Sequence, residues 1–381
     1  MAPRSDIAIY APFAFHYYED RESYGDQPPR GGGGAELQTR LLAEVLARKG
    51  LRVAHIVYGR DRPITAPVPT LELVKRKPWP GRRGLLGKLL EGLRVWRSLG
   101  DADARVYVFR GGGAYLMVGV AFCLVRRRGL VLSASNDLDF IFDRPDRSRW
   151  GQVLYRAALR RSQCIVVQTT QQLELARGGL GAGARVELIP SFAEPMNGAA
   201  PAPEPEAFLW AARLVSYKLP LRYVELAQAL PEARFWMVAP VTSETSEELL
   251  EQLTEAVGET PNLELMPNQW RENLLEMIGR SAAVVVTSSH EGMPNVFLEA
   301  WARGVPVISL HFDPDRRIAD EGLGLFADGS WEEFVGAARK LWTEPELRRR
   351  MGDRGREYVA RVHSPESVGE RWAAALREAL D

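Results

Sequence analysis

Short apolar runs rich in valine and isoleucine alternate with helix-like patterns along most of the 381-residue chain. In the first half the strand-like runs occupy residues 7–10, 51–58, 105–109, 130–133 and 164–168, and the helical patterns occupy residues 35–49, 85–99, 114–128, 147–161 and 170–180. Strands that alternate with helices are typical of a parallel sheet covered by helices on both faces. The first half therefore predicts a doubly wound α/β domain.

A proline-rich segment interrupts the alternation between residues 190 and 205, which include five prolines. The pattern then resumes, with strand-like runs at 208–212, 234–238, 262–266, 283–287 and 306–310 and helical patterns at 220–230, 243–257, 270–281, 295–303 and along 330–380. One core rarely grows beyond roughly 250–300 residues, which also favours two domains. We predict an N-terminal Rossmann-like domain over 1–190, a linker over 191–205 and a C-terminal domain over 206–381, whose last helix could pack back on the first domain.

We expect the two domains to face each other across a central cleft. Ligands of doubly wound sheets bind outside the carboxyl ends of the strands. The two halves carry opposite charge: residues 1–190 hold 30 Lys and Arg against 18 Asp and Glu, and residues 191–381 hold 19 against 31. The basic half could meet an anionic acceptor or an anionic membrane surface. An alternative is that the opposite charges only draw the two halves together.

Several protein classes are disfavoured by composition. Two cysteines, Cys123 and Cys164, are too few for a disulfide framework or a zinc site and fit a reducing compartment. The N-terminus lacks the apolar stretch of a signal peptide, and the longest apolar run, residues 114–125, is shorter than the roughly 20 residues of a membrane span. We expect a cytoplasmic protein, neither secreted nor integral to a membrane.

The most informative segment is residues 284–308, where a buried strand runs into a polar loop and then a helix. Pro294 stands where the first helical residue is expected, so backbone amides around 295–297 would present the positive end of the helix dipole to an anion. Glu291 precedes the helix, and Glu299 lies eight positions further on, inside it. Two carboxylates beside a phosphate site suit a polyhydroxylated phosphate-bearing ligand such as a nucleotide sugar. Spacing alone equally allows both glutamates to be ordinary helix charges.

The same segment resembles the paired-glutamate signature of family 4 of the retaining glycosyltransferases, with Met293 at a position that is usually aromatic. The resemblance implies the GT-B fold, in which the first of two Rossmann-like domains lies on the acceptor side and the second binds the nucleotide sugar. It also implies that Glu299 binds the ribose hydroxyls and Glu291 the sugar hydroxyls. The other donor-binding residues that it implies are Gly292, Met293, Pro294, Asn295 and Val296.

A second match follows the linker, at residues 208–218, which resemble the first strand of the family's donor-binding domain. By this resemblance Arg213 and Lys218 hold the donor phosphates, although Ala212 replaces the usual glycine. A guanidinium and an ammonium at a strand end can neutralise a diphosphate leaving group as its charge develops. In isolation, the same residues would be two surface cations after a strand.

Two matches in the first half are weaker. Gly33 and Gly34 follow the first strand, open a helix and resemble the family's Gly-Gly-x-Glu loop. A glycine-rich turn of this kind also suggests a dinucleotide site, but no acidic residue closes the second strand-like run, which argues against nicotinamide cofactors. Asp137 follows the strand-like run 130–133, where the family often carries a histidine. We predict that Asp137 orients an acceptor hydroxyl or the donor sugar; the alternative is a loop cap.

A basic stretch at residues 75–90 mixes cations, tryptophan and leucine and is followed by Trp96 and Arg97. Such a stretch can lie on an anionic lipid surface, or it can be an ordinary surface helix whose leucines face the core. No nucleic-acid recognition motif accompanies it. No histidine pair has metal-ligand spacing, and the resemblance implies that Arg213, Lys218 and helix amides replace a metal at the leaving group.

Together these patterns predict a retaining GT-B glycosyltransferase that uses a nucleotide-diphosphate sugar as co-substrate, with no resident cofactor and no metal. Glu291, Arg213, Lys218 and Asp137 are the predicted catalytic residues. The acceptor is predicted to carry a hydroxyl and could be a glycan, a lipid-linked or anionic molecule or a small molecule. The basic N-terminal domain could also make a peripheral contact with the inner face of the membrane. Two alternatives are a phosphorylase or epimerase on the same fold and a non-catalytic nucleotide-sugar-binding or partner protein.

Overall fold

A computed structural model describes residues 3–19, 33–59, 63–77, 84–111, 114–142, 149–181, 183–194, 204–266 and 268–380. Contacts between Cα atoms divide the chain into two compact units. Unit 1 contains the described residues up to Phe192 together with those from Pro365 onward, and unit 2 contains those between Ala193 and Ser364. Residues 195–203 of the predicted linker, residues 28–32 of the glycine-rich loop and residues 78–83 of the basic stretch lie outside the described residues.

Unit 1 is built on a seven-stranded sheet whose described pairings are parallel. Its strands are β1 Ser5–Tyr10, β2 Val53–Tyr58, β3 Leu71–Arg76, β4 Ala104–Arg110, β5 Gly129–Ser133, β6 Cys164–Val167 and β7 Val186–Leu188. The strand order is β3-β2-β1-β4-β5-β6-β7, so the topology switches direction between β1 and β4. Ligands of doubly wound sheets bind at the carboxyl ends of the strands beside such a switch point.

Helices cover both faces of this sheet. Five of them follow the strands in chain order: α1 Gly34–Arg48, α2 Leu85–Ala102, α3 Ala114–Arg126, α4 Arg149–Arg160 and α5 Thr170–Leu180. Successive residues of a strand point to opposite faces, so Val106 and Val108 of β4 pack with α1 in one core cluster, whereas Tyr107 and Phe109 pack with α2 and α3 in the other. The five helices predicted in the first half are confirmed.

The sequence patterns missed two strands of unit 1, β3 and β7. β3 lies at an edge of the sheet and carries Lys75 and Arg76, which were assigned to the basic stretch. Arg76 does not face a lipid surface, because it is 4% exposed and its guanidinium contacts Glu91 and the hydroxyl of Tyr10. Trp96 likewise packs edge-on against Phe122, with 5.1 Å between ring centroids.

Unit 2 repeats the layout with a six-stranded sheet whose described pairings are parallel and whose order is β10-β9-β8-β11-β12-β13. Its strands are β8 Ala207–Ala211, β9 Phe235–Val238, β10 Leu263–Met266, β11 Ser281–Val286, β12 Val307–Ser309 and β13 Gly324–Phe326. Its helices are α6 Pro220–Ala229, α7 Glu247–Gly258, α8 Arg271–Gly279, α9 Asn295–Ala302, α10 Arg317–Glu321, α11 Trp331–Thr343 and α12 Pro345–Val362. The sequence missed β13 and α10, each of five residues or fewer.

The last helix, α13 Pro365–Leu380, packs in unit 1, although it follows unit 2 in the sequence. Val368, Trp372 and Leu376 join the core cluster that α1 forms with the sheet. Gly369 permits this close contact, because a Cβ there would lie 2.4 Å from Cγ1 of Val45. The two units are therefore connected by the chain at two places, after Phe192 and after Ser364.

The surface of α2 carries a stripe of leucines. Leu86, Leu89 and Leu93 recur at helical spacing and are 65%, 59% and 56% exposed, so they face away from the core of unit 1. Among the helices in the described ranges, none is long and apolar enough to cross a lipid bilayer.

His55, in the middle of β2, is fully buried, and its Nδ1 lies 2.7 Å from the Tyr18 hydroxyl. Burial lowers the pKa of His55 to about 3, from 6.5. The unfolded chain therefore binds a proton below about pH 6.5 that the folded chain does not bind, and the free energy of unfolding decreases as the pH falls. We expect a contribution of about 1.4 kcal/mol per pH unit between pH 6 and 4.

Urea unfolding of the wild type and His55→Gln at pH 7, 6, 5 and 4 measures this contribution, because glutamine can still accept the Tyr18 hydrogen bond. The difference in free energy of unfolding between the two proteins should shift in favour of the variant as the pH falls. The matched control is His311→Gln, since His311 is exposed. Parallel pH dependences for the wild type and His55→Gln would contradict the prediction.

Candidate functional site

The candidate site of unit 2 lies where neighbouring strands β8 and β11 end. Trp210 of β8 donates from Nε1 to the Thr287 hydroxyl, 3.0 Å away, just beyond β11. That hydroxyl donates in turn to the carbonyl oxygen of Lys218 at 2.6 Å, and the Ser289 amide donates to the carbonyl of Tyr217 at 2.9 Å. The loop after β8 is thus fixed against the loop after β11, which places residues far apart in sequence side by side.

Lys218 and Glu291 form an ion pair in this site, with Nζ of Lys218 against Oε1 of Glu291. Their side chains are only 14% and 13% exposed. Lys218 ends a short 3-10 helix, and the next residue, Leu219, adopts a left-handed conformation (φ 49°) before Pro220 begins α6. The structure therefore brings together the two residues to which the sequence assigned the donor phosphate and the donor sugar.

Arg213 lies further toward solvent, with a side chain 43% exposed. Its Nη1 donates to Glu244 at 2.9 Å and its Nη2 to the Tyr217 hydroxyl at 3.3 Å. Burial opposes the charge, but Tyr217 and Glu244 outweigh it and raise the pKa of Arg213. Tyr217 also lies beneath Lys218, whose Nζ is 5.2 Å from the ring centroid, so one aromatic ring joins both predicted phosphate-binding cations.

The loop after β11 leads into α9. Pro294 is the residue before the helix rather than its first residue, and α9 begins at Asn295. The amide of Phe297 donates to the carbonyl of Pro294 at 3.1 Å, so it is engaged within the helix and is not directed at a ligand as expected. Gly292 and Met293 form the turn before the helix, and Met293 and Val296 pack partly against the core.

Glu299 of α9 is 6% exposed and has its own cation partner, Arg271, the first residue of α8. Nη2 of Arg271 donates to Oε1 of Glu299 at 2.8 Å and to Oε2 of Glu194 at 2.6 Å, and Nε donates to Glu194 at 3.0 Å. Arg303 donates to the backbone carbonyl of Glu299 at 3.2 Å. Glu299 is therefore a buried carboxylate and not the solvated helix charge that spacing alone allowed.

The remaining predicted residues lie in unit 1. Gly33 precedes α1 and Gly34 is its first residue. The carboxylate of Glu36 folds back toward this helix start. It lies so close to Gly33 that a Cβ at that position would be 2.8 Å from Glu36 Oε2. Asp137 begins a 3-10 helix after β5, but Asp139 is the residue that caps the preceding loop, accepting from the Ser135 amide and hydroxyl at 2.7 and 3.0 Å.

Sequence reasoning missed several residues of the site of unit 2: Tyr217, His290, Arg271 and Glu194. Tyr217 and His290 stack with 4.8 Å between ring centroids, although 73 positions separate them. No periodic pattern in the sequence indicates this contact. Tyr217 follows β8 and His290 follows β11, and these two strands become neighbours only in the folded sheet. Among the described residues, no group of three or more His, Cys, Asp or Glu side chains could hold a metal ion.

Comparison with known proteins identifies two family matches in tandem. Residues 194–358 match the model of the glycosyl transferases group 1, and residues 32–195 match the model of glycosyltransferase family 4. A curated relative, the lipopolysaccharide core biosynthesis glycosyltransferase LpsE of Rhizobium meliloti (strain 1021), is 31% identical over 109 residues, which is 28% of this chain and 32% of that protein. The matched region thus spans about a third of the relative's length.

Two solved structures are similar over nearly the whole chain. Sucrose-phosphate synthase from Thermosynechococcus elongatus matches with a TM-score of 0.78 and 17% identity, covering 98% of this chain and 99% of that one. Anabaena Alr3699/HepE in complex with UDP and glucose matches with a TM-score of 0.74 and 14% identity, covering 98% and 100%. The predicted fold class, GT-B with two Rossmann-like doubly wound domains, is confirmed.

Proposed function

Because this chain joins a glycosyltransferase family 4 domain to a glycosyl transferases group 1 domain, we propose that it is a retaining glycosyltransferase. It would move a sugar from a nucleotide-diphosphate sugar to a hydroxyl of an acceptor. The observation that carries this proposal is the Lys218–Glu291 pair, a partly buried cation and carboxylate held at the carboxyl edge of the sheet of unit 2. The UDP and glucose bound to Alr3699/HepE, a protein of the same fold, support a nucleotide sugar as donor.

The proposed chemistry assigns a task to each group in unit 2. Glu299 accepts hydrogen bonds from the ribose hydroxyls, and Glu291 accepts from hydroxyls of the transferred sugar. As the bond between the sugar and the diphosphate breaks, negative charge grows on the phosphate oxygens. Lys218 and Arg213 stabilise that charge, together with the positive end of the helix dipole at the start of α9. Gly292, Met293, Pro294, Asn295 and Val296 line the donor, and the acceptor hydroxyl attacks from the face that the diphosphate leaves.

The proposed reaction needs neither a resident cofactor nor a metal, because two cations already lie beside the predicted diphosphate position. Gly33 and Gly34 in unit 1 would contribute to donor binding, and Asp137 would orient the acceptor hydroxyl or the donor sugar. The acceptor would be a glycan, a lipid-linked molecule or a small molecule.

A panel of nucleotide diphosphates and nucleotide sugars, scored by thermal shift, tests donor binding. We expect one base to raise the melting temperature, because a ligand that binds only the folded protein stabilises it by about 2.7 kcal/mol at a hundredfold excess over Kd. The shift should persist in EDTA and should be lost in Glu299→Ala. The matched control is Glu251→Ala on α7, where the side chain is exposed.

The outcomes separate the alternatives. No shift with any nucleotide would contradict the donor site. A shift without turnover on any acceptor would favour a non-catalytic nucleotide-sugar-binding protein. Release of a sugar phosphate, or epimerisation of the nucleotide sugar without an acceptor, would favour a phosphorylase or an epimerase.

We also propose that the leucine stripe of α2 gives unit 1 a peripheral contact with anionic membranes. Leu86, Leu89 and Leu93 are exposed on one face, and Lys88 and Arg97 beside them are exposed cations. An amphipathic helix of this kind buries its apolar face at the lipid headgroups while its cations attract anionic lipids.

Sedimentation with vesicles tests this contact. We expect binding to vesicles that contain phosphatidylserine at 20 mM salt, weaker binding at 500 mM salt, and at least a tenfold loss in the double variant Leu86→Glu/Leu89→Glu. The matched control is Leu250→Glu in unit 2, whose leucine is 37% exposed. Equal binding of the double variant and the wild type would contradict the proposal.

A further inference from the structure

A second polar site lies in unit 1, at the carboxyl end of β4, beside the switch point of the sheet. Arg110 is the last residue of β4, and the strand alternation directs its side chain to the same face as Val106 and Val108, toward α1. There it lines a small cavity together with residues of α1, the ends of β5 and β6, and α13. The cavity has about 10 Å³ of free space, close to that of one water molecule.

The guanidinium of Arg110 has few partners for a cation in this position. Nη1 donates to the Ser133 hydroxyl at 3.0 Å, while Nε is buried and has no acceptor among the residues that the structure describes. No described carboxylate lies within ion-pair distance. Burial lowers the pKa of Arg110 to about 10, and the more distant charges of Glu36 and Asp139 do not offset this effect.

Arg76, a buried arginine of unit 1, shows the contrast with Arg110, which is partly buried. Arg76 is 4% exposed, but Glu91 pairs with its guanidinium, Tyr10 accepts from Nη1, and the pKa of Arg76 is raised rather than lowered. Removing a charge from water without a counterion costs several kcal/mol. The charge of Arg76 is neutralised by Glu91, whereas Arg110 has no carboxylate partner among the described residues.

Three polar side chains that line the cavity with Arg110 make their hydrogen bonds to other groups of unit 1. The Gln38 amide group binds both the carbonyl and the amide of Phe192, at 2.8 and 2.7 Å. Gln168 donates to the carbonyl of Ala134 at 2.7 Å, and Thr39 donates to the carbonyl of Glu36 at 2.8 Å. An acceptor from outside the chain would complete the site.

We propose that Arg110 binds an anionic group of the acceptor, a phosphate or a carboxylate, and so selects acceptors that carry one. This inference rests on the proposed function, in which Asp137 of unit 1 orients the acceptor hydroxyl or the donor sugar. It agrees with the excess of 30 cations over 18 anions in residues 1–190. The planar fork of a guanidinium matches both a phosphate and a carboxylate. A bidentate contact would use N–H groups of Arg110 that have no partner among the described residues. The small cavity admits an oxygen of such a group and not the body of the ligand.

Titrating the full chain with inorganic phosphate and with succinate, at constant ionic strength, tests the site by thermal shift and calorimetry. We expect saturable binding of at least one of the two, and the stronger one identifies phosphate or carboxylate as the preferred group. Arg110→Gln should weaken this binding at least tenfold, and Arg110→Lys should weaken it less. The matched control is Arg177→Gln, which removes the same charge from the exposed surface of α5.

Melting without added anion separates binding from a structural role. Because Arg110→Gln removes a poorly compensated cation, the variant should melt no lower than the wild type. A lower melting temperature without anion, no saturable anion binding, or unchanged binding in Arg110→Gln would each overturn the inference. UDP serves as a separate probe. If Arg110→Gln loses phosphate or succinate binding but still binds UDP, the anion site is supported. If the wild type binds phosphate or succinate but no nucleotide, only the proposed donor site is refuted.

Discussion

Replacing Lys218 with glutamine is expected to lower kcat/KM by about 100-fold or more, or about 2.7 kcal/mol of transition-state stabilisation. Lys218 is 14% exposed and lies at the carboxyl edge of the sheet of unit 2, so its charge acts in a poorly solvated position. A cation placed there before the reaction stabilises the diphosphate as its charge develops. Steady-state kinetics with the nucleotide sugar that the thermal-shift panel identifies measure the effect.

The Lys218→Gln variant also leaves Glu291 without its partner, which could destabilise the fold. A double-mutant cycle with Glu291→Gln separates the two effects. The double variant should recover most of the lost melting temperature, because both charges are then absent, but it should recover no turnover. Recovery of turnover together with stability would show that the pair is structural.

Arg213→Gln should have a smaller effect, about tenfold, because its guanidinium is 43% exposed and already hydrogen-bonded to Glu244. If Arg213 and Lys218 both hold the diphosphate, replacing either of them should lower turnover. Turnover within a few-fold of the wild type in both single variants would contradict the assignment of the leaving-group site.

Glu299→Gln is expected to weaken binding of the preferred nucleotide diphosphate by about 10- to 100-fold, since hydrogen bonds to a charged group contribute about 1.5–3 kcal/mol. The variant keeps the size of the side chain and removes the charge that would accept from two ribose hydroxyls. Calorimetry with the nucleoside diphosphate and with its 2′-deoxy analogue measures the effect. The wild type should prefer the ribose form, and Glu299→Gln should lose that preference.

Arg271 has a positioning role in this prediction, because it holds Glu299 against Glu194. Arg271→Gln should weaken nucleotide binding by about tenfold, and Glu194→Gln by less, since Arg271 retains Glu299. The matched control is Arg280→Gln, whose partner Glu206 lies elsewhere in unit 2. If Glu299→Gln binds nucleotide as the wild type does, the ribose assignment is wrong.

The fold was largely predictable from sequence, because most central strands are mainly apolar runs and most long helices have an apolar stripe. β3, β7 and β13 were missed for physical reasons. β3 combines three apolar residues with Glu72, Lys75 and Arg76 at an edge of the sheet, so it is neither an apolar run nor strictly alternating. β7 and β13 have three residues each, too few for a period to emerge.

The candidate site was predictable only where a motif is contiguous. Glu291 and Glu299 stand out because a single loop and helix carry both of them. The partner of Glu299 is Arg271, and spacing does not indicate this pairing because the two residues meet only when α8 and α9 pack. Arg110 stands at the end of an apolar run, and only the structure shows that it has a hydroxyl partner and, among the described residues, no carboxylate partner.

The position of α13 has a consequence for synthesis on the ribosome. Trp372 and Leu376 belong to the core of unit 1, yet they are translated after all of unit 2. The core of unit 1 cannot be completed until α13 has been synthesised, so the face of α1 stays uncovered while unit 2 is being made. The half that begins first therefore finishes last, and its unfinished apolar surface is the part of the nascent chain most in need of a chaperone.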